Sequence, residues 1–199
     1  MHPALALLEL DSIVAGIRCG DAMVKHSPVE VLHAGTVHPG KYLVLVAGAV
    51  AHVDEALDAG LGIADGHLID HVHLPQVDTQ VVDALTGRRA TGPVEALGVV
   101  ETRTAASLVG AADRGVKEAE VVLRELRLAD HLGGKAHCLF AGSLTDVDAA
   151  VDAAVGPVDP RCLVGHAVIP QLHDEMRATL EAAPGLVDQL HARSQGGQG

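Results

Sequence analysis

The feature that most constrains this chain is that it is written twice. Residues 4–32, ALALLELDSIVAGIRCGDAMVKHSPVEVL, align with residues 96–124, ALGVVETRTAASLVGAADRGVKEAEVVLR, at an offset of 92. Glu9 falls on Glu101, Asp21 on Asp113, Lys25 on Lys117 and Val29 on Val121. The offset then grows to 94, with Lys41 on Lys135 and Val53-Asp54 on Val147-Asp148, and to 95, with Pro75 on Pro170. Agreement over this much sequence with such small length changes predicts two copies of one structural module of roughly 90 residues. We place the modules at 1–86 and 96–183, with a Gly- and Pro-containing linker at 87–95. The tail, 184–199, ends in SQGGQG and is expected to be flexible.

One module reads as β-α-β-β-α-β followed by a short helix. Ala4–Leu10 is a short apolar run and predicts a buried strand. Asp11 or Ser12 can cap a helix, whose Ile13, Ile17 and Val24 share one face and which Pro28 ends. Val29 and Val31 alternate with polar residues as in a half-buried strand. Residues 36–40 are a turn by composition, and Tyr42–Ala47 is an apolar strand. Val53, Ala56, Leu57 and Gly60 space as a second helix lying close to a sheet. His67–Leu74 predicts a fourth strand and Thr79–Leu85 a closing helix. The second copy places strands near 97–101, 120–127, 135–141 and 162–168. The fold class is therefore α/β in the α+β sense, two tandem ferredoxin-like modules.

Composition excludes several functions. There are 14 basic against 26 acidic residues and a net charge of −12, so no basic face is available for nucleic acid. The longest apolar run, Leu43–Ala51, is under half of the ~20 residues that a membrane helix needs. The N-terminus lacks the basic start and cleavage site of a signal peptide. Cys19, Cys138 and Cys162 are odd in number and widely spaced, which suits free thiols in a reducing compartment and not a thiolate zinc site. Aromatic residues amount to one Tyr and one Phe, so the core must be built from Ala, Val and Leu in closely approaching layers.

No phosphate-loop, dinucleotide or nucleophile-elbow motif occurs. His71 and His73 would share one strand face, a metal pair without an evident third ligand. His137 and Cys138 are adjacent on a strand and so point apart. Cys162 has no evident base beside it and reads as a buried, inert thiol. Glu9 and Glu101 follow apolar strands as catalytic carboxylates often do, but they match across the repeat. The expected role is structural, accepting from a nearby helix start or sheet edge.

The strand LLEL, the helix ending D-A-M-V-K, then S-P-V-E-V-L, a P-G-K turn and a V-L-V-A-G strand carry a resemblance. They are answered in module two by V-V-E-T, A-A-D-R-G-V-K, G-G-K and A-G-S-L-T-D-V. In this order, twice over, they resemble the bacterial microcompartment shell-protein domain in its tandem, trimer-forming type. The resemblance spans about Ala4 to Thr179. It implies a non-enzymatic homotrimer whose six domains make a flat pseudo-hexagonal tile. Its place would be the microcompartment shell in the bacterial cytoplasm. Its partners would be other shell proteins met edge to edge and metabolites crossing a central pore, with no nucleic acid and no membrane.

The resemblance also implies particular residues. The loops between strands two and three would line the pore: Val37, His38, Pro39 and Gly40 in module one, His131, Leu132, Gly133 and Gly134 in module two. Family tiles meet through a lysine at the end of the first helix, here Lys25 and Lys117. Each also forms an i,i+4 pair with Asp21 or Asp113, worth about 0.3–0.5 kcal/mol. A second edge position, usually Arg in a P-R-P-H segment, is Gln76 in one module and Gln171 in the other, and only His173 keeps the histidine. Gln cannot supply the guanidinium fork. One family member carries an iron–sulfur cluster in its pore, and its ligand cysteine is His38 here. Such clusters usually need thiolates, so the resemblance does not carry the cluster over to this chain. Three copies of His38 around an axis could instead hold a divalent metal, titrate and gate anion passage, or simply line a polar pore. A small-molecule-binding trimeric regulator is the reading from a different functional class.

Overall fold

The computed structural model describes residues 4–88, 90 and 94–182. Part of the linker and the whole tail 184–199 lie outside the described residues. Module one runs β1 (Ala4–Leu10), α1 (Ile13–His26), β2 (Glu30–Val37), β3 (Lys41–Gly48), α2 (Val50–Leu61), β4 (Leu68–Leu74) and α3 (Thr79–Leu85). Module two repeats it as β5 (Ala96–Thr102), α4 (Ala105–Glu118), β6 (Val122–Leu128), β7 (Ala136–Gly142), α5 (Leu144–Val155), β8 (Leu163–Ile169) and α6 (Asp174–Ala182). Each module carries one antiparallel sheet, in the orders β2-β3-β1-β4 and β6-β7-β5-β8. Equivalent residues keep equivalent registers: Leu8 lies opposite His71 and Val100 opposite His166. The repeat in the sequence is thus a repeat in space.

All seven residues of β1 are buried, because both faces of its sheet are covered. Ala4, Ala6, Leu8 and Leu10 pack with Met23, Val53, Ala56 and Leu57 of α1 and α2. Leu5 and Leu7, with Leu43 and Leu45, belong to the other apolar cluster, which continues through Val81 into Leu108, Val109 and Phe140 of module two. The two modules therefore share a core. The helices approach closely, as the Ala-rich composition predicts. A Cβ on Gly16 would stand 2.3 Å from the Tyr42 ring, and one on Gly115 would stand 2.5 Å from Phe140 Cζ. Each of the two aromatic side chains sits where a helix glycine leaves room.

Two expectations from periodicity are corrected. Ile13, Ile17 and Val24 share a face of α1, but that face is exposed; Ile17 is 56% exposed and Val14 on the same helix 69%. The buried face is the small one, Ala15, Gly16, Cys19 and Met23, because only small residues allow the helix to lie against Tyr42. Strand β2 begins at Glu30 and is not half-buried: every residue from Glu30 to Ala34 is exposed, and Val37 alone is buried. Both differences have one physical source. In module two the equivalent surfaces are covered by module one, and ten of the fourteen residues of α4 are buried against four in α1. The Gln80 side-chain amide of α3 closes the β6 edge, donating to the Val121 carbonyl at 3.1 Å and accepting from Leu123 N–H at 2.9 Å.

Candidate functional site: the paired loops and the module junction

The junction is built around Glu9. It is fully buried, its Oε1 lies 2.5 Å from Lys41 Nζ, and its Oε2 accepts from the backbone N–H of Ala105 at 2.7 Å and of Ala106 at 3.3 Å. These are the first free donors of α4, where the helix dipole favours an anion. Burial pushes the Glu9 carboxyl above its usual range, against the pull of Lys41 and the two amides. This matches the expected structural role, an acceptor at a helix start. Asp70 of β4 reinforces it, accepting from Thr104 Oγ1 at 2.5 Å and from the N–H and hydroxyl of Ser107 at 3.1 and 2.6 Å. Lys41 also donates to the carbonyls of Gly134 at 3.2 Å and Arg103 at 3.3 Å, so it ties β3 to the second module's loop.

That loop and its module-one counterpart stand side by side. Asp130 Oδ1 accepts from the His38 backbone N–H at 3.1 Å and lies 3.4 Å from His38 Nδ1. The His38 N–H, with the ring behind it, holds the Asp130 carboxyl below its usual range. The imidazoles of His38 and His131 stack, with centroids 5.6 Å apart and planes at 28°. Gly134 lets the loops touch: its φ is +79°, and a Cβ there would stand 2.7 Å from Pro39 Cδ. His131 itself has φ +61°, a left-handed conformation that a side chain rarely adopts, which turns its ring toward His38. The residues singled out in the two loops are thus brought together. Asp130 and Lys41 were missed, although the matching of Lys41 with Lys135 across the repeat marked the lysine.

The other candidates separate. Lys117 Nζ bonds Asp113 at 2.6 Å and also the Gln76 carbonyl, linking α4 to the end of β4. Lys25 bonds Asp21 at 2.6 Å and is exposed. Gln76, Gln171 and His173 are exposed, and His173 Nδ1 accepts from the Glu175 N–H. His71 is exposed while His73 turns toward Asp54, 3.0 Å away, so the pair does not converge. Among the described residues no group of three His, Cys, Asp or Glu side chains is arranged to hold a metal. An iron–sulfur cluster does not fit the donors present: Cys19 and Cys138 are buried, and the loops 37–40 and 131–134 contain no thiol. Burial pushes the Cys138 thiol well up. His137 lies 3.3 Å from Glu125, away from Cys138, as strand alternation predicts. Cys162 is corrected from buried to half-buried. No helix among the described residues is long and apolar enough to cross a membrane.

The fold and its paired loops define a tandem protein of two ferredoxin-like modules fused at a shared core. The BMC domain matches residues 4–77 and again 96–172. The chain is 37% identical, over 88% of its length and 96% of the other's, to the bacterial microcompartment shell protein PduT of Citrobacter freundii. It is 26% identical to the carboxysome assembly protein CcmO of a Synechocystis strain, over 94% of this chain and 67% of that one. Among solved structures, a microcompartment protein from Desulfitobacterium hafniense superposes with a TM-score of 0.78 at 37% identity, covering 89% of this chain and 99% of that one. A fused permuted hexameric shell protein from the RMM microcompartment shares the fold, with a TM-score of 0.57 at 20% identity over 78% and 81% of the two chains. The chain belongs to the bacterial microcompartment shell-protein family. It is a structural protein of the microcompartment shell.

Proposed function

We propose that the chain acts as a homotrimeric, pseudo-hexagonal tile with a central pore, and that it is not an enzyme. The observation that carries this is the unmatched pair of half-junctions. Inside the chain, module one offers Glu9 and β4, and module two offers the start of α4. The same surfaces recur unpaired at the outer ends. Glu101 is bonded to Lys135 as Glu9 is to Lys41, but among the described residues no helix start reaches it. Its helix is missing because the equivalent N–H groups are those of Ile13 and Val14, at the start of α1, whose apolar face is bare. Exposed Val31 and Leu32 of β2 and Met176 of α6 complete the set, since their counterparts are buried or half-buried at the β6–α3 contact. A second copy would meet this surface head to tail, and such contacts close into a ring when the rotation between copies is a third of a turn. Three chains of two modules supply six modules.

In that ring the loops 37–40 and 131–134 face the axis, and stacked His38 and His131 pairs line the pore for small metabolites. Lys25, Lys117, Gln76, Gln171 and His173 lie toward the outer margin, where tiles meet one another and other shell proteins. Native mass spectrometry tests the assembly: the expected mass is three times 20.4 kDa. Ile17→Asp, which puts a charge on the bare face, is expected to give monomers. A wild-type monomer at every concentration would overturn the reading.

A second reading rests on the position of His38, beside Asp130 and with most of its ring exposed. Three His38 imidazoles around the axis would hold a divalent cation, which would supply a fixed positive charge in the pore. Elemental analysis expects about one metal per trimer, lost in His38→Ala. Metal-free protein after incubation with zinc would refute it.

A further inference from the structure

Away from the pore loops, a cavity of about 560 Å³ opens between the modules. Its walls are β4 at residues 69–72, α4 from Ala106 to Arg114, and the segment 157–162 that leads into β8. That volume suits a small molecule. Arg114 reaches into this space half-buried. A guanidinium has five N–H donors, yet among the described residues Arg114 makes a single hydrogen bond, Nη2 to the Ala154 carbonyl at 3.2 Å, and its Nε is buried without a partner. It has no carboxylate partner among the described residues, in a chain where acids outnumber bases 26 to 14. Its neighbour Asp113 is occupied by Lys117 and by the Asp78 N–H. Burial works against its charge and lowers its pKa. At the cavity's entrance stands Arg161, oriented by Asp159 through Nε at 3.1 Å and Nη2 at 2.6 Å.

The carboxylates around the cavity are already satisfied. Asp70 accepts from Thr104, from Ser107 twice and from the His71 N–H. Asp159 is held down to about 2 by Arg161. What remains unsatisfied is donor capacity, which calls for an acceptor. The repeat supplies an independent observation. The positions equivalent to Arg114 and Arg161 in module one are Ala22 and Gly66, at the offsets of 92 and 95. The shell fold itself therefore does not require these two cations. They occur only at the junction inside the chain, where β4 walls the cavity.

We propose that this cavity binds a small molecule through a compact oxyanion, a carboxylate or a phosphate, seated on Arg114 with Arg161 at the entrance. The site is complete within one chain and does not depend on the pore or on the trimer. Isothermal titration with inorganic phosphate and, separately, with acetate distinguishes the two oxyanions. One of them is expected to bind at about one ion per chain and to raise the melting temperature. Arg114→Met keeps the aliphatic stem and is expected to weaken binding at least tenfold, because a charge-assisted fork is lost. Arg161→Ala lies on the exposed rim, leaves the fold intact and is expected to weaken binding several-fold. Absence of binding by both ions up to about 10 mM, or binding unaltered in Arg161→Ala and in folded Arg114→Met, would overturn the proposal.

Discussion

Truncating the two matched glutamates should have opposite consequences, and the size of each follows from its surroundings. Glu9→Ala removes a carboxylate that holds a nearly buried ammonium and two helix-start N–H groups. Breaking such a buried pair costs about 3–5 kcal/mol. For a chain of this size each kcal/mol moves the melting temperature by about 2–4 °C, so a fall of roughly 6–20 °C is expected. Glu101→Ala removes a carboxylate that is one-third exposed and bonded to Lys135 alone among the described side chains. As a surface pair it is worth about 0–1 kcal/mol to the isolated chain. If Glu101 receives α1 of the next copy as Glu9 receives α4, the same 3–5 kcal/mol falls on each junction between copies. At about 1.4 kcal/mol per factor of ten, the dissociation constant should rise by roughly a hundred- to a few-thousand-fold. Circular dichroism of the diluted variants gives the first quantity, and a dilution series by sedimentation gives the second. A Glu101→Ala trimer as tight as wild type would refute the reasoning, as would a loss of monomer fold equal to that of Glu9→Ala.

Three further outcomes are expected. Gly115→Ala drives a methyl group into the Phe140 ring and toward the Ala150 carbonyl, 2.5 and 3.0 Å away, and overpacking of this kind costs about 1–3 kcal/mol; urea titration should show a lower midpoint. Because burial raises the Glu9 carboxyl from 4.5, the folded chain holds that proton more tightly than the unfolded one. The increment of stability that comes from this proton, separate from the packing and hydrogen bonds lost in Glu9→Ala, is thus full below about 4.5 and is lost as pH climbs through the raised value. Glu9→Gln should flatten that part of a stability-versus-pH profile, and an unchanged slope would contradict the assignment. Gly134→Ala places a Cβ at φ +79° and 2.7 Å from Pro39, so it should disturb both central loops together, read as altered His38 and His131 imidazole signals in nuclear magnetic resonance while far-UV circular dichroism stays constant.

The fold was legible because the repeat multiplies every weak signal by two. A single strand such as Ala4–Leu10 is ambiguous, but its match to Ala96–Thr102, with small-residue helices following both, is not. The structural role of Glu9 was legible for the same reason, since a catalytic residue would have no cause to recur at 101. Periodicity failed where tertiary contacts differ between the copies. The Ile13, Ile17 and Val24 face looks like a core face because it is apolar, and nothing local says that the described residues leave it uncovered. Strand β2 looked half-buried from Val29 and Val31, yet it is an open edge. The stacking of His38 on His131 was hidden because it joins residues from separate modules, and its cause, the left-handed turn at 129–134, appears in the sequence only as two glycines.

The departures from the repeat are as informative as the repeat. Where the copies agree, as at Glu9 and Glu101 or Lys41 and Lys135, the proposed ring gives the residue one task in both, a junction that every module would make. Where they differ, the two kinds of junction differ. Asp70 helps cap α4 inside the chain, but its counterpart on β8 is Gly165, so the start of α1 must rely on Ser12, which already accepts from the Ala15 N–H at 3.3 Å. A junction between copies would therefore lack the Asp70 hydrogen bonds to Thr104 and Ser107. Those bonds join a carboxylate to donors at roughly 1.5–3 kcal/mol each before their mutual overlap is counted. The fused junction should accordingly be the stronger of the two, and dissociation on dilution should stop at folded two-module chains. Gly165→Asp tests this directly: with Ser12 as the hydroxyl donor, the added carboxylate should tighten the trimer several-fold at neutral pH and lose that effect as the carboxyl is protonated below about pH 4. A trimer loosened by Gly165→Asp would mean that the junction between copies does not share the geometry of the one inside the chain.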